Sequence, residues 1–134
     1  MSVAPFSSHK IPFAALAKAV RAGLPIKRLD EFQRRSGLPW NCLLQVLHLP
    51  PRTLARRRKA GRLSAGESDR LVRIAQVFER AADLLQGDRV SAMAWFLGPC
   101  RALGGETPLT VAGTEIGTAQ VDQLLGRLEH GVFS

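Results

Sequence analysis

A run of basic side chains between residues 52 and 62 offers the clearest chemistry in this sequence. Arg52, Arg56 and Lys59 are spaced by four and three residues, so in a helix they would share one face. A guanidinium can form two hydrogen bonds with O6 and N7 of guanine, and both Arg and Lys bind phosphate. This spacing therefore predicts a surface that binds nucleic acid.

Position along that helix predicts which atoms each residue contacts. The first residues of a helix inserted in the major groove usually reach the base edges. We therefore expect base contacts from Arg52, Thr53 and Arg56. The remaining cations are expected to contact phosphates: Arg57, Arg58, Lys59 and Arg62. The alternative is an ordinary solvated helix face, which is the usual role of a charge run.

Charge is distributed unevenly along the chain, and this favours the first interpretation. Residues 1–62 contain thirteen Lys and Arg side chains against only Asp30 and Glu31, whereas residues 63–134 contain six basic and nine acidic side chains. A strongly basic half is typical of phosphate binding with salt-sensitive affinity. The mildly acidic half has no such bias, so we expect it to bind protein or to serve a structural role.

Histidine and cysteine, which often serve catalysis and metal binding, are few and scattered. His9, His48 and His130 are far apart in sequence, and Cys42 and Cys100 lack the CxxC spacing of zinc or redox sites. We therefore expect no enzymatic activity, metal, cofactor or disulfide, and a reducing cytoplasm as the location. The N-terminus lacks the pattern of a signal peptide, and no apolar run reaches the roughly 20 residues of a membrane span.

Four short helices are predicted in the basic half, after a loose arm at residues 1–12. Apolar residues at helical spacing indicate helices that end before Gly23 and Gly37, followed by two more at 40–47 and 51–60. The last two are joined by a three-residue turn, which gives them the dimensions of a helix-turn-helix. The second of these two helices is the one that carries the basic run.

The turn of this motif carries His48 at the position where glycine is usual. His48 would therefore have to adopt a left-handed backbone conformation, which His tolerates better than most residues. Leu54 must point to the core if the basic face is to point outward. Trp40 could contact the DNA backbone, but an indole beside Leu43 and Leu44 is more often part of the core.

The acidic half is predicted to open with the longest helix, at residues 65–86. Ser64 and Glu67 have the S-x-x-E spacing of a capping box. The helix carries an apolar stripe, which we expect to form a seam between domains or between the subunits of a dimer. The members of the stripe are Leu71, Ile74, Ala75, Phe78, Ala81, Ala82 and Leu85.

Three shorter helices are predicted to follow, each after a side chain that can cap it. The caps are Asp88, Thr107 and Thr114, and Gly131 is placed to end the last helix. The predicted inward side of the last helix comprises Ile116, Val121, Leu124, Leu125 and Leu128. The pair Gly104-Gly105 could cradle a phosphate, but without a following Lys it is more typical of a tight turn.

An ordered series of short motifs from residue 38 onward resembles the Xre/MbcA/ParS-type antitoxins of bacterial toxin–antitoxin pairs. Each motif alone is weak, whereas their order is specific, and residues 1–37 match only loosely as an additional helical part. The motifs are Arg57-Arg58, Leu63-Ser64, Glu67-Ser68-Asp69-Arg70-Leu71, Arg73-Ile74-Ala75, Ala94-Trp95-Phe96-Leu97, Leu103-Gly104-Gly105, Thr107-Pro108-Leu109, Gly117, Val121 and Leu124-Leu125-Gly126-Arg127-Leu128-Glu129-His130-Gly131-Val132.

This resemblance implies an antitoxin paired with a RES-domain toxin, which in this family consumes NAD or ADP-ribosylates a target. The antitoxin would catalyse nothing, act as a homodimer, mask the toxin's active site and repress its own promoter by binding operator DNA. We therefore predict an all-α protein with a DNA-binding domain at 1–62 and a toxin-binding and dimerisation domain at 63–134. The alternative is a stand-alone Xre-type transcriptional regulator that has no toxin partner.

The end of the sequence indicates where such a toxin would bind. Gly131-Val132-Phe133-Ser134 places two apolar side chains and a carboxylate just past a predicted helix end, and this segment could enter a nucleotide pocket. We expect toxin contacts from Arg127, Glu129, His130, Val132 and Ser134. The alternative, left open by the sequence, is that Val132 folds back on the last helical turn as an ordinary helix-ending contact.

Overall fold

The computed structural model describes residues 13–131, and this part of the chain consists of α-helices joined by short turns, which confirms the all-α prediction. The predicted arm at residues 1–12 lies outside the described residues. The helices are α1 (Phe13–Ala22), α2 (Ile26–Ser36), α3 (Trp40–Val46), α4 (Pro51–Ala60), α5 (Ala65–Leu84), α6 (Arg89–Leu97), α7 (Pro108–Val111) and α8 (Glu115–Glu129), with a 3-10 turn at Arg101–Leu103. An isolated β-bridge joins Pro25 and Arg62.

Side-chain caps fix the starts of the helices from α5 to α8, as the sequence predicts. Ser64 Oγ accepts a hydrogen bond from the Glu67 amide at 3.1 Å, and Glu67 Oε1 accepts one from the Ser64 amide at 2.9 Å, which completes the capping box. Asp88, Thr107 and Thr114 cap α6, α7 and α8. These bonds satisfy backbone donors that lack a partner within the helix.

Helix α5 lies at the centre of the fold and packs against α1, α2, α6 and α8. Its apolar stripe is buried from Leu71 to Ala82. Phe78 contacts Phe32 of α2 and Phe96 of α6, with ring centroids 5.7 and 5.5 Å apart respectively. The stripe therefore joins helices from both halves of the chain in one hydrophobic core.

Polar bonds also fix the N-terminal helices on α5. Ser68 is fully buried, and its Oγ accepts a hydrogen bond from the Leu24 amide at 2.8 Å and donates one to the Ser64 carbonyl at 2.7 Å. Arg35 of α2 forms a two-nitrogen ion pair with Glu79 of α5. Because a buried polar group is costly unless it is hydrogen-bonded, these partners fix how α2 and its preceding turn lie on α5.

Two apolar residues that were predicted to point inward lie at the surface. Leu85 is 39% exposed because α5 ends at Leu84, before this residue. Ile116 is 77% exposed because it lies about 140° around the helix from the buried Val121, at 3.6 residues per turn. The inward position in the first turn of α8 is occupied instead by Gly117. Between residues 13 and 131, none of the helices combines the length and apolar character needed to span a bilayer.

Candidate functional sites

Helices α3 and α4 are consecutive short helices, as predicted for a helix-turn-helix, and the turn between them comprises residues 47–50, one residue more than the sequence predicts. His48 has a φ of 54°, the left-handed conformation that its place in the turn requires. The Leu49 amide donates to the Leu44 carbonyl at 3.0 Å, and the Leu49 side chain is buried, which anchors the turn to the core. Pro51 opens α4 at a position where a missing N–H has no cost.

Arg70 of α5 holds this turn from a distant part of the chain. Its Nε donates a hydrogen bond of 2.8 Å to the carbonyl of Leu47, the residue that follows α3. Carbonyls at the end of a helix lack partners within that helix, so Arg70 caps α3. The sequence carries no local signal for this contact because 23 residues separate its partners.

The outer face of α4 carries the cations that are available to a ligand. Arg52, Arg56 and Lys59 are exposed, and none of them forms an ion pair with another residue in the range 13–131. Arg56 donates a weak hydrogen bond to the half-buried Thr53 at 3.4 Å. Leu54 packs against the core, as predicted. This face is the one that the sequence predicts to meet DNA.

Arg57, in contrast, is held by the fold. Its Nε and Nη2 donate to the two carboxylate oxygens of Glu67 at 2.8 and 3.1 Å. Burial acts to raise the pKa of Glu67, but hydrogen bonds from Arg57 and from the backbone of Ser64 outweigh it, and the pKa lies below its ordinary value. The sequence identified Glu67 as a helix cap, and the structure adds its second role as the acceptor for Arg57.

Arg58 and Arg62 are exposed, but both are bonded to other parts of the protein. The Nη1 and Nη2 atoms of Arg58 donate to Asp30 of α2 at 2.9 and 3.0 Å. The guanidinium carbon of Arg58 lies 5.6 Å from the centre of the Trp40 ring, and Trp40 itself is half-buried against the core. Arg62 donates to the carbonyl of Gly23. Among residues 13–131, the seven residues predicted to bind DNA therefore divide into four whose side chains form no bond outside α4 and three that are bonded to other parts of the chain.

At the other end of the molecule, Arg80 of α5 holds the final turns of α8. It forms ion pairs with Asp122 and with Glu129, the latter at 2.9 Å. The hydrogen bond from Arg80 lowers the pKa of Glu129 below its ordinary value. Arg127 and His130 are exposed. The structure thus directs Glu129 toward α5 and leaves Arg127 and His130 facing solvent.

Two further residues predicted to touch a toxin, Val132 and Ser134, lie outside the described residues. The last described residue is Gly131, whose φ of 73° confirms its predicted left-handed conformation at the end of α8. The chain therefore leaves α8 through a turn that starts beside two exposed side chains, Arg127 and His130.

An apolar groove of about 250 Å³ lies near the C-terminal end of α5. Its lining comes from three helices and the residue after α5: Ala81, Leu84, Leu85, Trp95, Leu125 and Leu128. The ring of Trp95 packs edge-on against Phe96, with centroids 5.2 Å apart. One side of Trp95 thus belongs to the core, as the sequence predicts, and another side lines the groove.

Comparison with known proteins assigns both parts of this structure. Residues 15–76 match the family model described as the antitoxin Xre-like helix-turn-helix domain, and residues 80–131 match the antitoxin Xre/MbcA/ParS C-terminal toxin-binding domain. The match to the first model covers most of α1, all of α2, α3 and α4, and the first part of α5. The match to the second covers α6 to α8 and the groove beside Trp95. These matches confirm the family resemblance and the predicted order of the two functions.

Relatives of similar length carry the same assignment. A protein of Yersinia enterocolitica named Antitoxin Xre is 36% identical over 120 residues, which span 89% of this chain and 81% of that protein. An Antitoxin Xre of Photorhabdus laumondii is 36% identical over 113 residues, which span 84% of this chain and 76% of that protein. The chain therefore belongs to the Xre family of antitoxins, and it joins a DNA-binding helix-turn-helix domain to a toxin-binding domain.

Proposed function

We propose that this antitoxin neutralises a RES-domain toxin that consumes NAD or ADP-ribosylates a target, and that it represses its own operon by binding operator DNA as a homodimer. Residues 1–62 would form the DNA-binding part and residues 63–134 the part that binds toxin and dimerises. The protein would act by binding alone. The family membership supports the antitoxin role, and the surface of α4 supports the repressor role.

The observation that carries the DNA-binding proposal is the exposed cationic face of α4. Arg52, Arg56 and Lys59 are exposed to solvent, and the turn that precedes α4 is held in place by Arg70. In such motifs the second helix enters the major groove, and residues near its start reach the bases. We therefore assign base contacts to Arg52, Thr53 and Arg56, and a phosphate contact to Lys59.

The toxin contact is proposed to include the last turn of α8 and the residues after it. Arg127 and His130 are exposed there, and both can donate hydrogen bonds to acceptor groups on the surface of a toxin. Val132 and Ser134 would continue this contact past Gly131. Glu129 would act indirectly, because its ion pair with Arg80 fixes the direction in which the last turn points.

Co-expression with the neighbouring reading frame, which this proposal expects to encode a RES-domain toxin, tests the antitoxin proposal. The toxin alone should arrest growth, and the antitoxin should restore growth and co-purify with the toxin. A matched pair of variants locates the contact: a chain ending at residue 130 should lose neutralisation, whereas Val90→Ala, on a residue 72% exposed in α6, should retain it. Full neutralisation by the shortened chain would remove the tail from the contact.

Binding to the DNA upstream of its own gene tests the repressor proposal. Wild-type protein should shift a labelled duplex of this region and lower expression of a reporter placed behind it. Arg52→Ala should weaken binding by roughly 1–3 kcal/mol and relax the sequence preference at one base pair. DNA binding and repression without any toxic neighbour would instead favour a stand-alone regulator.

A further inference from the structure

Helix α4 makes little apolar contact with the rest of the protein, although a helix that binds DNA must have a fixed orientation. None of its residues is fully buried, and Leu54 is the side chain of α4 that packs, partly buried, against the core. Buried Leu49 before the helix and the Pro25–Arg62 bridge after it hold the two ends of α4, but one partly buried side chain does little to fix its rotation about its own axis. Other contacts must therefore set its direction.

Two adjacent arginines supply those contacts from two different helices. Arg57 is bonded through two nitrogens to Glu67 of α5, and Arg58 is bonded through two nitrogens to Asp30 of α2. Two-point bonds between a guanidinium and a carboxylate fix orientation as well as distance. Since neighbouring residues point about 100° apart around a helix, the two pairs restrain α4 in two directions.

We propose that Arg57 and Arg58 are positioning residues of the DNA interface, which keep their bonds to Glu67 and Asp30 while DNA is bound. They aim the exposed face with Arg52 and Arg56 at the groove and are not themselves phosphate contacts. This inference rests on the proposed DNA-binding function and assigns two of its seven expected residues a different role.

Removing the charge of Glu67 or Asp30 should change the affinity for DNA in opposite directions, depending on whether the arginines position α4 or bind phosphate. If the arginines position α4, removal of a carboxylate frees the helix and weakens DNA binding. If they transfer to phosphates on binding, removal of a carboxylate releases a cation and strengthens binding. General electrostatics also predicts stronger binding when a basic protein loses an acid, so a loss of affinity has no simple charge explanation.

The experiment measures the affinity of Glu67→Gln and Asp30→Asn for a fluorescein-labelled duplex of the region upstream of the gene, over a series of salt concentrations. Gln at position 67 can still complete the capping box, so this variant mainly removes the ion pair. We expect affinity at fixed salt to fall by roughly threefold to tenfold. The slope of log affinity against log salt should stay unchanged, because no phosphate contact is lost.

Matched controls remove the same charge without touching α4. Asp69→Asn breaks an ion pair with Arg73 inside α5, and Glu31→Gln breaks one with Arg28 inside α2. Both should leave affinity equal or slightly higher. Lys59→Gln is the reference for a direct phosphate contact, and it should lower affinity and reduce the slope by about 0.9 for each copy of the chain bound.

Rescue and folding checks complete the test. Asp30→Glu keeps a carboxylate for Arg58 and should restore most of the affinity lost in Asp30→Asn. Circular dichroism identifies unfolded variants; if Glu67→Gln is unfolded, Asp30→Asn decides, because its pair is more exposed. Unchanged or increased affinity in the folded acid variants would overturn the inference alone. Absence of DNA binding by the wild type at low salt would overturn the proposed function and the inference together.

Discussion

Glu67 has two roles in this structure, and the local sequence predicts only one of them. The S-x-x-E spacing predicts the capping box with Ser64, because that contact spans three residues and depends on local helix geometry. The bond from Arg57 spans ten residues across a turn between two helices. Its geometry depends on how α4 packs on α5, and no local pattern encodes that packing.

Acid sensitivity of the fold should depend on Glu67. Its pKa is lowered in the folded protein, so the unfolded chain binds the proton more tightly. The stabilisation from ionised Glu67 is therefore fully present above the ordinary pKa of 4.5, and it is lost as the pH falls through the lower pKa of the folded protein. Glu67→Gln should therefore make the free energy of unfolding less dependent on pH in this window. Urea titrations at a series of pH values measure it, and an identical pH dependence in both proteins would contradict it.

Gly117 is required by a close approach between helices. A Cβ built on Gly117 would lie 1.7 Å from the carbonyl oxygen of Val111, so α7 and α8 would have to separate. Gly117→Ala should lower the free energy of unfolding by about 1–3 kcal/mol or more. Gly66→Ala is the control, because the nearest atom to its Cβ is a flexible Arg70 nitrogen at 3.8 Å. Chemical denaturation compares the two, and equal stability would show that the α7–α8 contact yields easily.

At the scale of elements, sequence patterns predicted the helices well and their buried faces with two exceptions. Caps and glycines set the helix ends locally, so α4 and α8 begin where expected. Ile116 was misplaced because the apolar pattern favours a large side chain over a glycine. The close contact of Gly117 with α7 is a property of the packed structure, and an apolar pattern does not record it.

The aromatic cluster around α5 should dominate the stability of the whole bundle. Phe78 is fully buried between Phe32 and Phe96, and its truncation to Ala leaves a cavity that three helices cannot easily fill. Phe78→Ala should lower the free energy of unfolding by about 3–5 kcal/mol. Val90→Ala, at a residue 72% exposed, should change it little. A small effect at Phe78, measured by guanidinium unfolding, would mean that the core repacks.

At the scale of the whole molecule, the exposed cations determine how DNA binding responds to salt. A homodimer that presents the phosphate contact of Lys59 twice would release counterions from about two phosphates through this face, which gives a log–log slope of about −2. A monomer would give about half of that value. Binding to the upstream duplex at several salt concentrations, with light scattering to determine the oligomer, measures both quantities. A slope near zero would remove this face from the DNA interface.

The candidate DNA surface could be located from the sequence, but its division into two sets could not. A run of basic residues on a helix is a local pattern, and α4 carries it as expected. Which of these residues form an ion pair depends on acids elsewhere in the chain. Asp30, for example, lies 28 residues away from Arg58 in the sequence. Of the six cations in the predicted set, the structure bonds Arg57, Arg58 and Arg62 to other parts of the described chain, which leaves three cations and Thr53 for DNA.

The shared core around α5 also predicts how the protein should respond to proteolysis. A protease that cleaves the toxin-binding part removes α6 and α8, which cover the stripe that also supports α1 and α2. The remaining helix-turn-helix part then loses much of its support and becomes a substrate for further degradation. Proteolysis of this antitoxin should consequently be all-or-none and leave no stable fragment of its helix-turn-helix part.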